Sequence, residues 1–121
     1  MGGPTRDSST AELARYAVDV ASERLASDIA LLDLRGVSDF TEYFVIASGE
    51  TARHLESLAE DLAHALRDSG VHLHHREGTG QGGWILLDFP GLVVHLFTRQ
   101  VRERYGLERL WARAPEILRV Q

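Results

Sequence analysis

Cysteine is absent from this chain of 121 residues, and so is lysine: all 13 basic residues are arginine. The first absence rules out disulfides, Fe–S ligation and thiolate catalysis, and leaves the redox compartment open. The second removes Schiff-base chemistry and the phosphate-binding lysine of a P-loop. Proline is scarce, with three residues, and aromatic residues make up only 7%. No apolar run approaches the ~18 residues a bilayer span requires. Met1 to Asp7 contain no apolar segment, so no secretory signal is expected and the chain is expected to stay in the cytoplasm where it is made. What is present is 44% hydrophobic and 26% charged residues, the mix of one globular domain long enough to bury a core without staples. The net charge of −5 argues against primary nucleic-acid binding, in which phosphates would supply most of the affinity. A local basic patch is compatible with it.

Residues 1–8, rich in Gly, Pro and Ser, read as a disordered tail. Ser9 and Glu12 then form a capping-box pattern, and Leu13, Ala17, Val20, Ala21 and Leu25 follow at helical spacing, predicting a helix over 10–27. Ile29–Leu34 is too short for a helix and reads as a buried strand; Tyr43–Ser48, aromatic and β-branched, reads as a second. Leu55, Leu58, Leu62 and Leu66 stripe a helix over 51–69, with Gly70 at its C′ position. Val71–Arg76 alternates as an edge strand, and Gly78–Gly83 reads as a flexible loop. Trp84–Phe89 and Leu92–Phe97 flank Pro90-Gly91 as a hairpin, and Tyr105–Trp111 reads as short helical turns. The order α-β-β-α-β-β-β-α predicts an α/β (α+β) domain over 9–115, with a mixed sheet of about five strands, flanking helices and a C-terminal tail over 116–121.

The residues that carry chemistry elsewhere do not assemble into a catalytic pattern here. His72, His74 and His75 cluster, but strand alternation puts only His72 and His74 on one face, short of the three or four ligands a zinc site takes. No GxSxG elbow accompanies any serine, and Ser38, Ser48 and Ser69 stand where Ser caps or turns the chain. Asp28, Asp33, Asp39 and Asp88 would need a phosphate partner to hold Mg²⁺. The Gly78–Gly83 loop lacks GK[ST] and leads into a strand instead of opening a helix, the wrong spacing for a phosphate cradle. Arg99–Tyr105 interleaves arginine with glutamate and reads as a solvated helix face, with an RNA contact as the minority reading. Trp84 follows the glycine loop and reads either as core or as an interface anchor. From the residues alone, a binding module is preferred over an enzyme.

Four stretches in order resemble one family. They are Asp28–Gly36; Thr41–Gly49 with Arg53 and His54; Trp84–Phe89 with Val93–Phe97; and Tyr105–Trp111. Each is similar to a segment of the ribosomal silencing factor (RsfS, Iojap-like) family, and the resemblance as a whole runs from about Leu13 to Pro115. The resemblance implies a non-enzymatic, cofactor-free regulator on a nucleotidyltransferase-like fold. It implies binding to the large ribosomal subunit through its protein numbered fourteen, and a block on small-subunit joining when nutrients are short. Carried over by position, Trp84, Leu86, Asp88 and Phe89 match the family's interface-bearing stretch, and His95 matches its second strand. Trp84 is the implied anchor, Phe89 and Leu92 flanking apolar contacts, and Asp88 a charge partner for a basic residue. Pro90, Gly91 and Phe89 stand where the family usually has Gly, Asp and Tyr. The resemblance and the edge strands suggest a homodimer. An acidic adaptor also suits a basic ribosomal protein while avoiding unspecific RNA. An enzyme related to nucleotidyltransferases and an RNA-binding module remain as alternative readings.

Overall fold

The computed structural model describes residues 9–121; the expected tail over 1–8 lies outside the described residues. Helix α1 (Thr10–Glu23) starts at the expected capping box: Ser9 Oγ accepts from the Glu12 N–H, and the Glu12 carboxylate accepts from the Ser9 N–H. It ends four residues earlier than the apolar spacing predicts. Ala26 N–H reaches back to the Ala21 carbonyl and Leu25 N–H to that of Ser22, a Schellman closure that puts Leu25 at φ 68. Helix α2 (Ala52–Asp68) closes by the same two bonds, Val71 to Leu66 and Gly70 to Arg67, but with the expected Gly70 in the left-handed position. The comparison makes Leu25 a strained cap. It is 80% exposed, so its side chain offers little packing in return. Leu25→Gly is expected to stabilise the fold by about 1 kcal/mol, read as a raised urea midpoint with unchanged slope.

Six strands form one mixed sheet in the order β3-β4-β5-β2-β1-β6. They are β1 (Ser27–Asp33), β2 (Tyr43–Gly49), β3 (His75–Thr79), β4 (Trp84–Phe89), β5 (Leu92–Thr98) and β6 (Glu116–Val120). Only β2 and β5 pair in parallel; β4–β5 is the expected hairpin, turning at Gly91 with φ 76. The sixth strand corrects the expected C-terminal tail. Residues 116–120 pair antiparallel with β1, and their weak burial pattern left no alternation to read. Strand β3 begins later than expected, at His75: the Val71 N–H is taken by the α2 cap, and the His74 N–H is the first to reach the sheet, at Asp88 O. The expected flexible loop is also tighter than its composition implies. Gly78 and Thr79 lie in β3, Gly80 N–H donates to Glu56 Oε2 at 2.7 Å, and a β-carbon on Gly78 would overlap the Trp84 carbonyl.

Helices α1 and α2 cover one face of the sheet. Their leucines and alanines pack on Ile29, Leu31, Tyr43, Val45, Ile85, Leu87, Phe89, Leu92, Val94 and Leu96. A smaller core lies on the opposite face, where Leu32, Leu34, Phe44, Ile46, Val93 and Phe97 meet Leu107 and Ala114. Two short helices, α3 (Arg99–Tyr105) and α4 (Leu107–Leu110), cover only part of that second face. The open remainder of the second face carries the candidate site.

Candidate interface on the half-covered sheet face

Pleating decides which of the expected contact residues reach the surface. Along β4 the burial alternates, with Trp84, Leu86 and Asp88 half-buried on the open face and Ile85, Leu87 and Phe89 beneath the helices. Phe89 therefore does not flank Trp84: it is 1% exposed and faces α1 and α2. Leu92 pairs directly across the hairpin from Phe89, so it shares that hidden face and is fully buried. Both are corrected from surface contacts to core. The missing tyrosine hydroxyl at position 89 thus falls inside the core.

His95 lies on the correct face but below the surface, at 3% exposed. The Trp84 indole N–H donates to its Nδ1 at 3.2 Å. Indole can only donate, so Nδ1 is the acceptor and the ring proton sits on Nε2. That Nε2 has no hydrogen-bond partner among the described residues. The ring is wedged edge-on against Phe44, 4.6 Å between centroids. Burial pushes its pKa down to about 3. In the folded state the imidazole stays neutral, whereas in the unfolded chain it titrates near 6.5. Unfolding below pH 6.5 therefore takes up a proton, and stability falls as pH drops through this window. Between pH 7 and pH 5 the expected loss is about 2 kcal/mol. The check is urea unfolding across that range, in which His95→Phe should flatten the profile.

Around this pair the structure assembles an aromatic strip that sequence order conceals. Trp84 stacks on Phe97 at 4.9 Å and touches Tyr105 at 4.7 Å. Phe44 meets Trp111 at 5.4 Å, and Phe40 leans on both Phe44 and Trp111. The strip ends in side chains that water can reach: Phe40 is 66% exposed and Tyr105 55%, and Leu110, next to Trp111 in the chain, is 77% exposed. A shallow depression of about 160 Å³ lies beside it, bounded by Glu77, Gly78, Trp84 and Leu86. Asp88 sits further along β4 with no ion-pair partner among the described residues. The face thus combines a half-buried tryptophan fixed from behind, exposed apolar groups along the strip and an unpaired carboxylate further along β4, features that protein interfaces use. Phe40, Leu110 and Trp111 were not singled out from the sequence. The signal was there for Phe40, a large aromatic between Asp39 and Thr41 in a polar loop.

The expected solvated helix over Arg99–Tyr105 forms, but one of its arginines is buried. Arg102 is 7% exposed; its Nε and Nη2 grip Glu108, and its Nη1 donates to the Asp28 carbonyl at 2.7 Å and Ser48 Oγ at 2.8 Å. Glu108 is shared with Arg119 of β6, which also contacts Asp28 and Glu116. The two guanidinium groups, Arg102 foremost, hold the Glu108 carboxyl below its ordinary pKa. This network pins α3, α4 and β6 together and so sets where Tyr105, Leu110 and Trp111 sit.

His72, His74 and His75 do not converge, and among the described residues no group of three potential ligands could hold a metal ion. Among them no helix is long and apolar enough to cross a membrane.

Comparison with known proteins adds what geometry leaves open. A family model described as "Ribosomal silencing factor during starvation" matches residues 7–121. The chain belongs to this family. A ribosomal silencing factor of Halalkalibacterium halodurans is 30% identical over 90% of this chain and 93% of its own length. One from Bacillus subtilis is 31% identical over 84% and 86%. A crystal structure of a Chromobacterium violaceum protein superposes with a TM-score of 0.83 at 28% identity, covering 87% of this chain and 88% of that one. As a family member the chain has the mixed α+β fold the sequence implied, with one strand more than expected.

Proposed function

We propose that this silencing factor works by occupancy: it docks on the joining face of the large ribosomal subunit, through the subunit's protein numbered fourteen, and blocks association with the small subunit. Family membership supports the ribosome as partner. The observation that carries the docking mode is the exposed strip around Trp84, whose shape suits burial against another protein. Occlusion needs no turnover. It needs an interface of about 1,200–2,000 Å² with a few desolvated anchors. Trp84 is the anchor of this reading, Leu86 its apolar neighbour and Asp88 the partner for a basic side chain, which accords with the chain's net charge of −5. His95 acts one layer down by holding the indole.

Supply of the Gly80 N–H to Glu56 also bears on the enzyme alternative. The Glu56 carboxylate takes the Gly80 N–H, which removes one donor from the glycine loop that a phosphate site would draw on. The reading includes a cytoplasmic location and a homodimer, the latter through the unpaired outer edges of β3 and β6; sedimentation velocity would show it as a species of twice the chain's mass.

The deciding experiment is cosedimentation with isolated large subunits, followed by addition of small subunits. Binding with reduced joining is expected. No binding at either moderate or low salt would overturn the reading.

A further inference from the structure

The charge of this chain is segregated. Residues 99–113, which cover α3, α4 and the turn after them, hold five arginines against two glutamates, while the rest holds eight arginines against sixteen acidic residues. The segment is therefore at +3 and the remainder at −8. Pairing sharpens the contrast. Glu108 is committed to Arg102 and Arg119. Arg99, Arg104, Arg109 and Arg113 are all exposed, and none has a carboxylate partner among the described residues.

The patch has a defined place. Gly106, left-handed at φ 60, separates α3 from α4, and a β-carbon there would overlap the Arg109 guanidinium. The Arg109 guanidinium is thus folded back over Gly106, the residue that follows Tyr105. The Tyr105 ring rests on Trp84 yet is more than half exposed, so the basic turn continues directly from the aromatic strip. Asp88 lies four residues along β4 from Trp84, about 13 Å away at strand rise. The face therefore offers a carboxylate at one end and, at the other, an exposed aromatic ring on a segment that carries four exposed, unpaired arginines.

We infer that this turn is a second contact in the same docking event and that its occupant is RNA, with phosphates on Arg104, Arg109 and Arg113 and an unstacked base on Tyr105. The inference rests on the ribosome-docking reading. A mosaic of this kind fits a place where a basic protein abuts RNA: the Asp88 end suits the protein, and the arginine end suits the phosphates beside it. Free guanidinium groups next to an exposed tyrosine are the pairing that single-stranded RNA exploits, charge along the backbone and stacking at a base. The −8 on the rest of the chain repels RNA elsewhere. The contact is therefore local and orienting, and primary affinity stays with the aromatic strip.

The test measures binding of the full chain to purified large subunits between 50 and 200 mM salt, with ultraviolet crosslinking in parallel. The triple variant Arg104→Gln/Arg109→Gln/Arg113→Gln is compared with the parent and with Arg15→Gln/Arg67→Gln on the helix-covered side. Removing one arginine–phosphate pair flattens the slope of log affinity against log salt by about 0.7–0.9, so the triple variant should lose about 2 from the slope and bind at least ~10-fold more weakly at low salt. The parent should crosslink to RNA through the Tyr105 peptide and the triple variant should not, while the helix-side variant matches the parent. If the triple variant keeps the parental slope, or if the Tyr105 peptide crosslinks only to protein, the RNA contact is overturned while the docking reading stands. If the parent itself does not bind subunits, both fall.

Discussion

Trp84→Ala is expected to weaken binding to the large subunit at least ~30-fold, a loss of about 2 kcal/mol or more, while leaving the circular dichroism spectrum of the folded chain in place. The magnitude follows from how the ring is held. Phe97 supports it from below, Tyr105 from the side, and His95 Nδ1 fixes the indole N–H, so its exposed edge is ordered before any partner arrives. A preordered aromatic loses little conformational freedom on docking, and most of its contact area appears as affinity. Trp84→Phe separates contact from support: it refills much of the space between Phe97 and Tyr105 but presents less surface and no N–H. Intermediate affinity is expected. Binding by Trp84→Ala equal to the parent's would remove Trp84 as anchor and shift attention to Phe40, Leu110 and Trp111.

Arg102→Met should be strongly destabilising, at about 2–4 kcal/mol in urea unfolding, because it removes the buried cation of a partly buried ion pair and leaves its buried neighbours without their donor. Methionine fills the volume, so the loss reports on the guanidinium. Glu108 would keep only Arg119, and the Asp28 carbonyl and Ser48 hydroxyl would lose their donor. Arg102→Lys should recover only part of the loss, since an ammonium cannot grip Glu108 with two parallel bonds. The same network predicts acid sensitivity. Glu108 titrates lower in the folded chain than in the unfolded one, so its contribution is complete above about pH 4.5 and is lost as pH falls through its folded pKa. The His95 effect continues down to its folded pKa of about 3 and overlaps that range, so the two are separated by running the pH series on the parent and on His95→Phe, in which only the Glu108 loss remains.

The elements legible in the sequence were those whose signal is local. The α1 capping box, the α2 leucine stripe with its glycine cap, and the β4–β5 hairpin each rest on residues within one or two turns of each other. β4 matched residue for residue, because five apolar and aromatic residues with one aspartate, set between a glycine loop and Pro90-Gly91, allow little else. The alternation of β4 is legible in Trp84–Phe89 too, since residues five apart on a strand point to opposite faces, and it separates Phe89 from Trp84. Family resemblance proposed Phe89 as a contact, and pleating returned it to the core.

By itself the sequence determined the fold class, the family and the face of β4 that carries Trp84, since each follows from short-range pattern or from ordered motifs. Only the tertiary structure decided that residues 116–120 are a strand, because an edge strand with one exposed side carries almost no hydrophobic period. It alone decided that Arg102 is buried, since a guanidinium enters a core only where Glu108, Asp28 and Ser48 meet it from three other elements. And it alone brought Phe40, Phe44, Trp84, Tyr105 and Trp111 into one strip. Those residues are scattered over some seventy positions of chain, and it is β2 lying in parallel beside β5, with α3 and α4 folded back over part of that face, that brings them together.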